Sequence, residues 1–265
     1  MTGHPPPRPP LDRERLAAIP SPHLSWTVEV LDETPSTNAV VADRARAGAA
    51  EGLVVVTEHQ TSGRGRLDRA WHTPARSALT FSVLLRPGLP PARWPWLPLL
   101  TGVAVHDAVG SGVSLKWPND VLLGDLKLAG ILAELVETPT GPAAVVGVGL
   151  NVSMTREELP VPTATSLSLA GHEVDRTDLL VDLLVELDRV YAVWTGGSDD
   201  DELLRSTYTR RCATVGQLVR VDLPSGETLT GTAVDVDLAG RLLVQSGGTT
   251  TVVGAGDVVH VRAAG

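Results

Sequence analysis

The chain has 265 residues, 43% of them hydrophobic, and a formal net charge of −9. That length predicts one large domain and one small one, and the apolar content excludes wholesale disorder. The acidic balance weighs against general binding to the phosphate field of nucleic acid. A single cysteine, Cys212, excludes an internal disulfide and a cysteine-based zinc site. No apolar run approaches the roughly 18 residues of a membrane helix, and the start has no apolar segment of the secretory kind. These features predict a soluble cytoplasmic protein with no membrane partner.

Residues 1–24 carry seven prolines, which remove donors and fix φ. They predict a disordered tail with at most one helical turn near Arg13 to Ala18, too short and broken for a helix-turn-helix domain. Alternation begins at Ser25. Val28 to Leu31 reads as a strand, Asn38 to Ala47 as a helix stopped by Gly48, and Leu53 to Val56 as a buried strand. A polar, glycine-rich loop spans Gln60 to Arg76. Leu79 to Leu85 reads as a strand and Leu97 to Val109 as a helix ended by Gly110. Val113 to Lys116, Val121 to Leu123 and Ile131 to Val136 read as short strands. A turn at Pro139 to Pro142 leads into a strand over Val145 to Val152. Asp178 to Trp194 spaces its leucines for a helix whose apolar stripe is core. After the acidic run Asp199 to Glu202 and a short helix, the character changes near Cys212. Five short strands follow within 213–265, which suggests a small barrel of SH3-like or OB type.

Four stretches have the residue types for chemistry. Gln60-Thr61-Ser62-Gly63-Arg64-Gly65-Arg66-Leu67-Asp68-Arg69-Ala70-Trp71 puts three arginines in six residues. Such cations suit a polyphosphate or carboxylate, the glycines permit close approach, and Trp71 offers a face for stacking. On this loop alone, a solvated loop or a nucleic-acid grip stands ahead of a small-molecule site. Lys116-Trp117-Pro118-Asn119-Asp120 is followed by Lys127-Leu128-Ala129-Gly130. The two lysines here are the only ones among 22 basic residues, and lysine offers a point charge where arginine offers a planar fork. A hairpin around Gly124-Asp125 sets Lys127 just past the turn. In Thr34-Pro35-Ser36-Thr37-Asn38, Ser36 or Thr37 is a natural helix cap, which leaves the other hydroxyl for a ligand. Gly147-Val148-Gly149-Leu150-Asn151 places two glycines inside a strand, a mark of close backbone approach.

In this order and spacing these motifs resemble the biotin protein ligase family, over about Val28 to the C-terminus. The resemblance implies an α+β fold: a mixed β-sheet with flanking helices, akin to the class II tRNA-synthetase core, over 25–212, then a small SH3-like β-barrel over 213–265. It implies activation of biotin by ATP as biotinyl-5'-AMP, with Mg²⁺, and transfer to a lysine of a biotin carboxyl carrier protein. Ser36, Thr37, Asn38, Gln60, Gly63, Arg64, Gly65, Arg66, Lys127 and Gly130 match the biotin-binding positions. Arg66, Arg69, Trp71, Asn119, Asp120, Lys127 and Asn151 match those that bind ATP. Lys127, Arg64, Arg66 and Asp120 match the catalytic ones; no strong protein site for a metal is implied, Mg²⁺ arriving with ATP near Asp120. Asp68 stands where many members have glycine, which bears on how the loop closes. A lipoate or octanoate ligase shares the fold but lacks the paired loop motifs, and a nucleic-acid module leaves Lys127 unexplained. No DNA partner is expected, and the chain is expected to be a monomer or weak homodimer.

Overall fold

The computed structural model describes residues 8–254 and 256–260. In chain order these form α1 (Arg13–Leu16), β1 (Thr27–Leu31), α2 (Thr37–Arg46), β2 (Leu53–Thr57), β3 (Gly63–Arg64), β4 (Ala70–Trp71), β5 (Ala78–Leu85), α3 (Trp96–Val109), β6 (Val113–Lys116), β7 (Asp120–Leu123), β8 (Leu126–Thr138), β9 (Gly141–Asn151), α4 (Arg176–Thr195), α5 (Ser198–Arg211), β10 (Leu218–Asp222), β11 (Thr228–Val236), β12 (Leu242–Ser246), β13 (Thr249–Val253) and β14 (Asp257–His260). Among the described residues, seven strands form one sheet in the order β1-β2-β5-β9-β8-β7-β6, with β1 and β2 parallel and the remaining pairs antiparallel. This is the mixed sheet with flanking helices that the resemblance implied.

Side chains alternate between the faces of a strand, and here the alternation creates two different surfaces. Val54, Val56, Leu79, Phe81, Val83, Val146 and Val148 join the core that also contains α3 and α4 residues such as Leu100, Val103, Leu180 and Leu184. The opposite face carries Leu53, Val55, Leu84, Val136, Ala143 and Val145 beneath Val41 and Ala45 of α2. A helix rises about 1.5 Å per residue, so the ten residues of α2 cover only part of that face. Beyond α2 the same face becomes small and polar, with Ser82, Gly147, Gly149 and Asn151 in the alternate positions of β5 and β9. The candidate site lies there.

The tail expected over residues 1–24 needs correction for its described part. Leu11, Leu16 and Leu24 are buried, and α1 is capped by Asp12, whose carboxylate accepts from the Glu14 and Arg15 amides. Prolines deprive this segment of regular hydrogen bonding, but side chains of the folded domain supply partners instead. Glu58 accepts from the Leu11 amide at 2.6 Å, and Arg176 donates to the Pro9 carbonyl at 2.7 Å. Glu58 and Arg176 form a buried ion pair at 2.6 Å, and Arg8 pairs with Glu158 at 2.5 Å. Residues 1–7 of the expected tail lie outside the described residues. The short helix expected after the acidic run is the 14-residue α5, which begins at Ser198 and so includes that run.

The last five strands form a separate antiparallel sheet in the order β13-β12-β11-β10-β14. It is consistent with an SH3-like barrel, but among the described residues its edge strands β13 and β14 do not pair, so it is open. It rests on α3 and on the β6–β7 turn. Trp96 donates its indole N–H to the Leu238 carbonyl at 2.8 Å, and Trp117 donates to the Gly240 carbonyl at 2.9 Å. Among the described residues no helix is long and apolar enough to cross a membrane.

Candidate functional site

A cleft of about 1090 Å³ opens over the small, polar part of the sheet. Small-molecule sites commonly span roughly 300–1,000 Å³, so this one has room for a nucleotide beside a second ligand. Of the residues singled out from sequence, Ser36, Thr37, Asn38, Gln60, Arg64, Gly65, Arg66, Arg69, Trp71, Asn119, Asp120, Lys127, Gly130 and Asn151 all border it. Gly63 lies just behind, where a Cβ would overlap the Gln60 amide and the Trp71 carbonyl. Lys116 also lines the cleft, so both lysines of the chain converge on one site.

Glycines decide how the floor is occupied. A Cβ on Gly147 would overlap the Asn38 amide, and one on Gly149 would overlap the Trp71 indole. A Cβ on Gly130 would meet Lys127 Nζ at 3.3 Å. Gly130 and Gly149 face each other in the β8–β9 register, as do Leu132 and Gly147. Three missing side chains thus make room for an amide, a ring and an ammonium in a row.

At the α2 end the cleft is polar, its buried groups neutral and one acid–base pair at its edge. Ser36 caps the helix, its hydroxyl accepting from the Ala39 amide. Thr37, expected to keep a free hydroxyl if Ser36 capped, instead bonds Gln60: its amide donates to Gln60 Oε1 at 2.9 Å and its hydroxyl at 3.2 Å. Ser82 Oγ lies 2.7 Å from Thr37 Oγ1 and 2.6 Å from Asn38 Oδ1. Asn38 donates to Glu134 at 2.6 Å, and Arg64 reaches the same carboxylate at 3.6 Å. Thr37, Asn38, Gln60 and Ser82 are all buried. Such a chain of fixed donors and acceptors suits a small ligand with its own paired donors and acceptors.

The other end is cationic. Lys127 Nζ stands 2.6 Å from Asp120 Oδ1 and 6.0 Å from the Trp71 ring centroid. The hairpin that carries it turns at Gly124, whose φ of 58° favours glycine. Arg66 donates to Asn119 Oδ1 at 3.2 Å, and Asn119 donates to the Ile131 carbonyl at 2.9 Å. Asn151 donates to the Thr165 carbonyl at 2.9 Å, fixing the loop that brings Thr163 and Ala164 to the rim. The side chain of Asp68 lies outside the described residues.

Sequence reasoning missed Ser82, Glu134, Gln217, Asp257 and His260. Ser82 had a signal: with Thr80 it makes alternate polar positions in an otherwise apolar strand. Glu134 has a weaker signal of the same kind in β8. Gln217, Asp257 and His260 reach the cleft from the C-terminal sheet, through packing that no local pattern reports.

Residues 30–151 match the model of the biotin/lipoate A/B protein ligase family, and residues 214–261 match that of the biotin protein ligase C-terminal domain. The chain is 41% identical to a biotin–[acetyl-CoA-carboxylase] ligase of Mycobacterium tuberculosis, over 96% of this chain and 97% of that one. It is 33% identical to the bifunctional ligase/repressor BirA of Bacillus subtilis, over 81% of this chain and 68% of that protein. Its structure is similar to that of the biotin protein ligase from Aquifex aeolicus in complex with biotin and ATP, with a TM-score of 0.76 at 26% identity over 89% of this chain and 99% of that one. The chain therefore belongs to the biotin protein ligase family.

Proposed function

We propose that the chain activates biotin with ATP as biotinyl-5'-AMP, releasing diphosphate, and passes the biotinyl group to a lysine of a biotin carboxyl carrier domain, releasing AMP. The acceptor fits the name of the Mycobacterium tuberculosis relative, and the substrates fit the Aquifex aeolicus complex. One observation carries the reading most: a buried neutral polar network and a cationic end share one cleft, joined by a glycine floor. Biotin pairs a ureido ring with an ionised carboxylate, and the cleft has the matching polarity at each end.

In this reading Thr37, Asn38, Gln60 and Ser36 surround the ureido ring, Lys127 with Arg66 faces the carboxylate, and Arg64 belongs to the loop that closes over biotin and the adenylate. The carboxylate is ionised at pH 7, so the first step needs no base. Its barrier is charge repulsion and alignment, as a carboxylate oxygen bonds to the α-phosphorus and diphosphate leaves. Preorganised cations aimed at that charge lower it, and the fixed floor holds the reacting atoms close. Trp71 and Asn151 hold the adenine. In the second step a neutral amine attacks the mixed anhydride and AMP leaves. Lys127 turns from Asp120 to the phosphate, which frees the Asp120 carboxylate to accept the amine proton.

A magnesium ion would enter with the triphosphate and screen its charge. Among the described residues no group of three or more His, Cys, Asp or Glu is placed to hold a metal. Asp120 and Asn119 offer a carboxylate and an amide beside the cationic end, a donor set that fits an ion held mainly by phosphates and water.

The test is diphosphate release from ATP in the presence of biotin, lipoate or octanoate. Release with biotin alone supports the reading. Release with lipoate or octanoate but not biotin replaces it with the sister activity.

A further inference from the structure

The tip of the arginine loop is held by the C-terminal sheet. Gly65 donates to the Arg69 carbonyl at 2.7 Å and Arg69 to the Arg66 carbonyl at 3.2 Å, closing residues 65–69 into one tight turn. Both terminal nitrogens of Arg66 lie 3.4 Å from the Gly256 carbonyl. Arg69 forms an ion pair with Asp257. Two guanidiniums from one turn therefore meet two successive residues of another.

The receiving side is fixed by its own sheet. Asp257 opposes Asp222 in the β10–β14 register. A Cβ on Gly256 would come within 2.8 Å of Val221 Cγ1, so that backbone is pressed against β10. The loop side has less support. Its base is the two-residue pairing of Gly63 with Trp71 and Arg64 with Ala70, and Leu67 at its tip is 68% exposed.

We propose that Asp257 is a positioning residue: acting through Arg69, it latches the arginine loop over the cleft and so retains the acyl-adenylate until the acceptor arrives. The retention half of this rests on the ligase reading above; the latch half does not. An exposed ion pair shifts a local equilibrium by no more than about fivefold. That strength suits a latch that must open for an acceptor lysine.

The test uses the full chain with Asp257→Asn, and Asp257→Glu as the conservative variant. Without ligand, trypsin should cut Asp257→Asn after Arg64 and Arg66 about three- to fivefold faster than the wild type, at an unchanged melting temperature. Asp257→Glu should be restored most of the way. Radiolabelled biotinyl-5'-AMP, loaded and then chased with unlabelled compound, should leave Asp257→Asn faster by a similar factor. Faster cleavage confined to Arg69 shows a local pair and overturns the latch. Faster cleavage at all three sites with unchanged adenylate escape overturns the retention role. A wild-type protein that binds no adenylate removes the ligase reading, and the ligand-free trypsin comparison still decides the latch.

Discussion

At Gly149 a single added atom would reach the aromatic ring of the cleft. A methyl group there would occupy the Trp71 ring position, so Gly149→Ala must push the indole aside. That takes the stacking face away from the adenine it is proposed to hold. KM for ATP should rise steeply while circular dichroism and melting stay near wild type; an unchanged KM would show that Trp71 does not hold the nucleotide. Lys127 is tested differently. If it faces both the biotin carboxylate and the α-phosphate, Lys127→Ala should slow single-turnover diphosphate release by about 10²–10³. Lys127→Arg should rescue poorly, because a planar fork does not replace a point charge. Added biotinyl-5'-AMP should restore acceptor labelling at least in part, since it bypasses the slowed step. Diphosphate release at the wild-type rate in Lys127→Ala removes this assignment. At this scale the sequence was informative where chemistry is written in residue type: Arg64, Arg66, Lys127 and the paired glycines of β9 all border or floor the cleft. It was silent where a role depends on a neighbour far along the chain. Thr37 looked free for a ligand until Gln60 and Ser82 were seen to bond it.

Elements place these residues by simple rules. The length of α2 leaves part of one sheet face uncovered, and that part becomes the site. α4 was readable from the helical spacing of its leucines, and β2 and β5 from apolar runs bounded by turn residues; β8, read as a short strand over Ile131 to Val136, runs from Leu126 to Thr138. The N-terminal segment was not readable, because its order comes from tertiary partners. Glu158 illustrates this: the hydrogen bond from Arg8 holds its carboxyl below the usual carboxylate range, against a smaller opposing effect of burial. A depressed carboxylate stabilises the fold above its unfolded pKa of about 4.3, and that contribution fades as pH falls through the lowered folded value. Arg8→Ala should therefore be less stable than wild type at pH 7, with the gap closing in acid. A gap of equal size at pH 7 and at pH 2 in denaturant titrations would contradict the pairing. The arginine loop has its own expectation. Biotinyl-5'-AMP should slow trypsin cleavage at Arg64, Arg66 and Arg69, and equal rates with and without ligand would count against a loop that closes on it.

At the scale of the whole molecule, the C-terminal sheet is part of the same core. Val219, Val221, Val236 and Leu242 belong to the cluster that contains Trp96, Leu99 and Trp117. Two buried indoles depend on carbonyls of the β11–β12 turn. A fragment ending at residue 212 would expose the apolar faces of those rings to water and lose both hydrogen bonds, at about 0.5–1.5 kcal/mol each. It should melt well below the full chain and label acceptor poorly; a fragment as stable and active as the full chain would separate the sheet from both roles. Five strands were legible here from turn spacing, but the contribution of Gln217, Asp257 and His260 to the cleft was not, since it arises from packing between the two sheets. Both half-reactions are expected to occur in this one chain. The purified protein, given ATP, radiolabelled biotin and a biotin carboxyl carrier domain, should place label on one acceptor lysine, with AMP and diphosphate formed in equal amounts. An unlabelled acceptor, with the protein folded and the carrier competent for a known ligase, would mean that this chain does not transfer biotin.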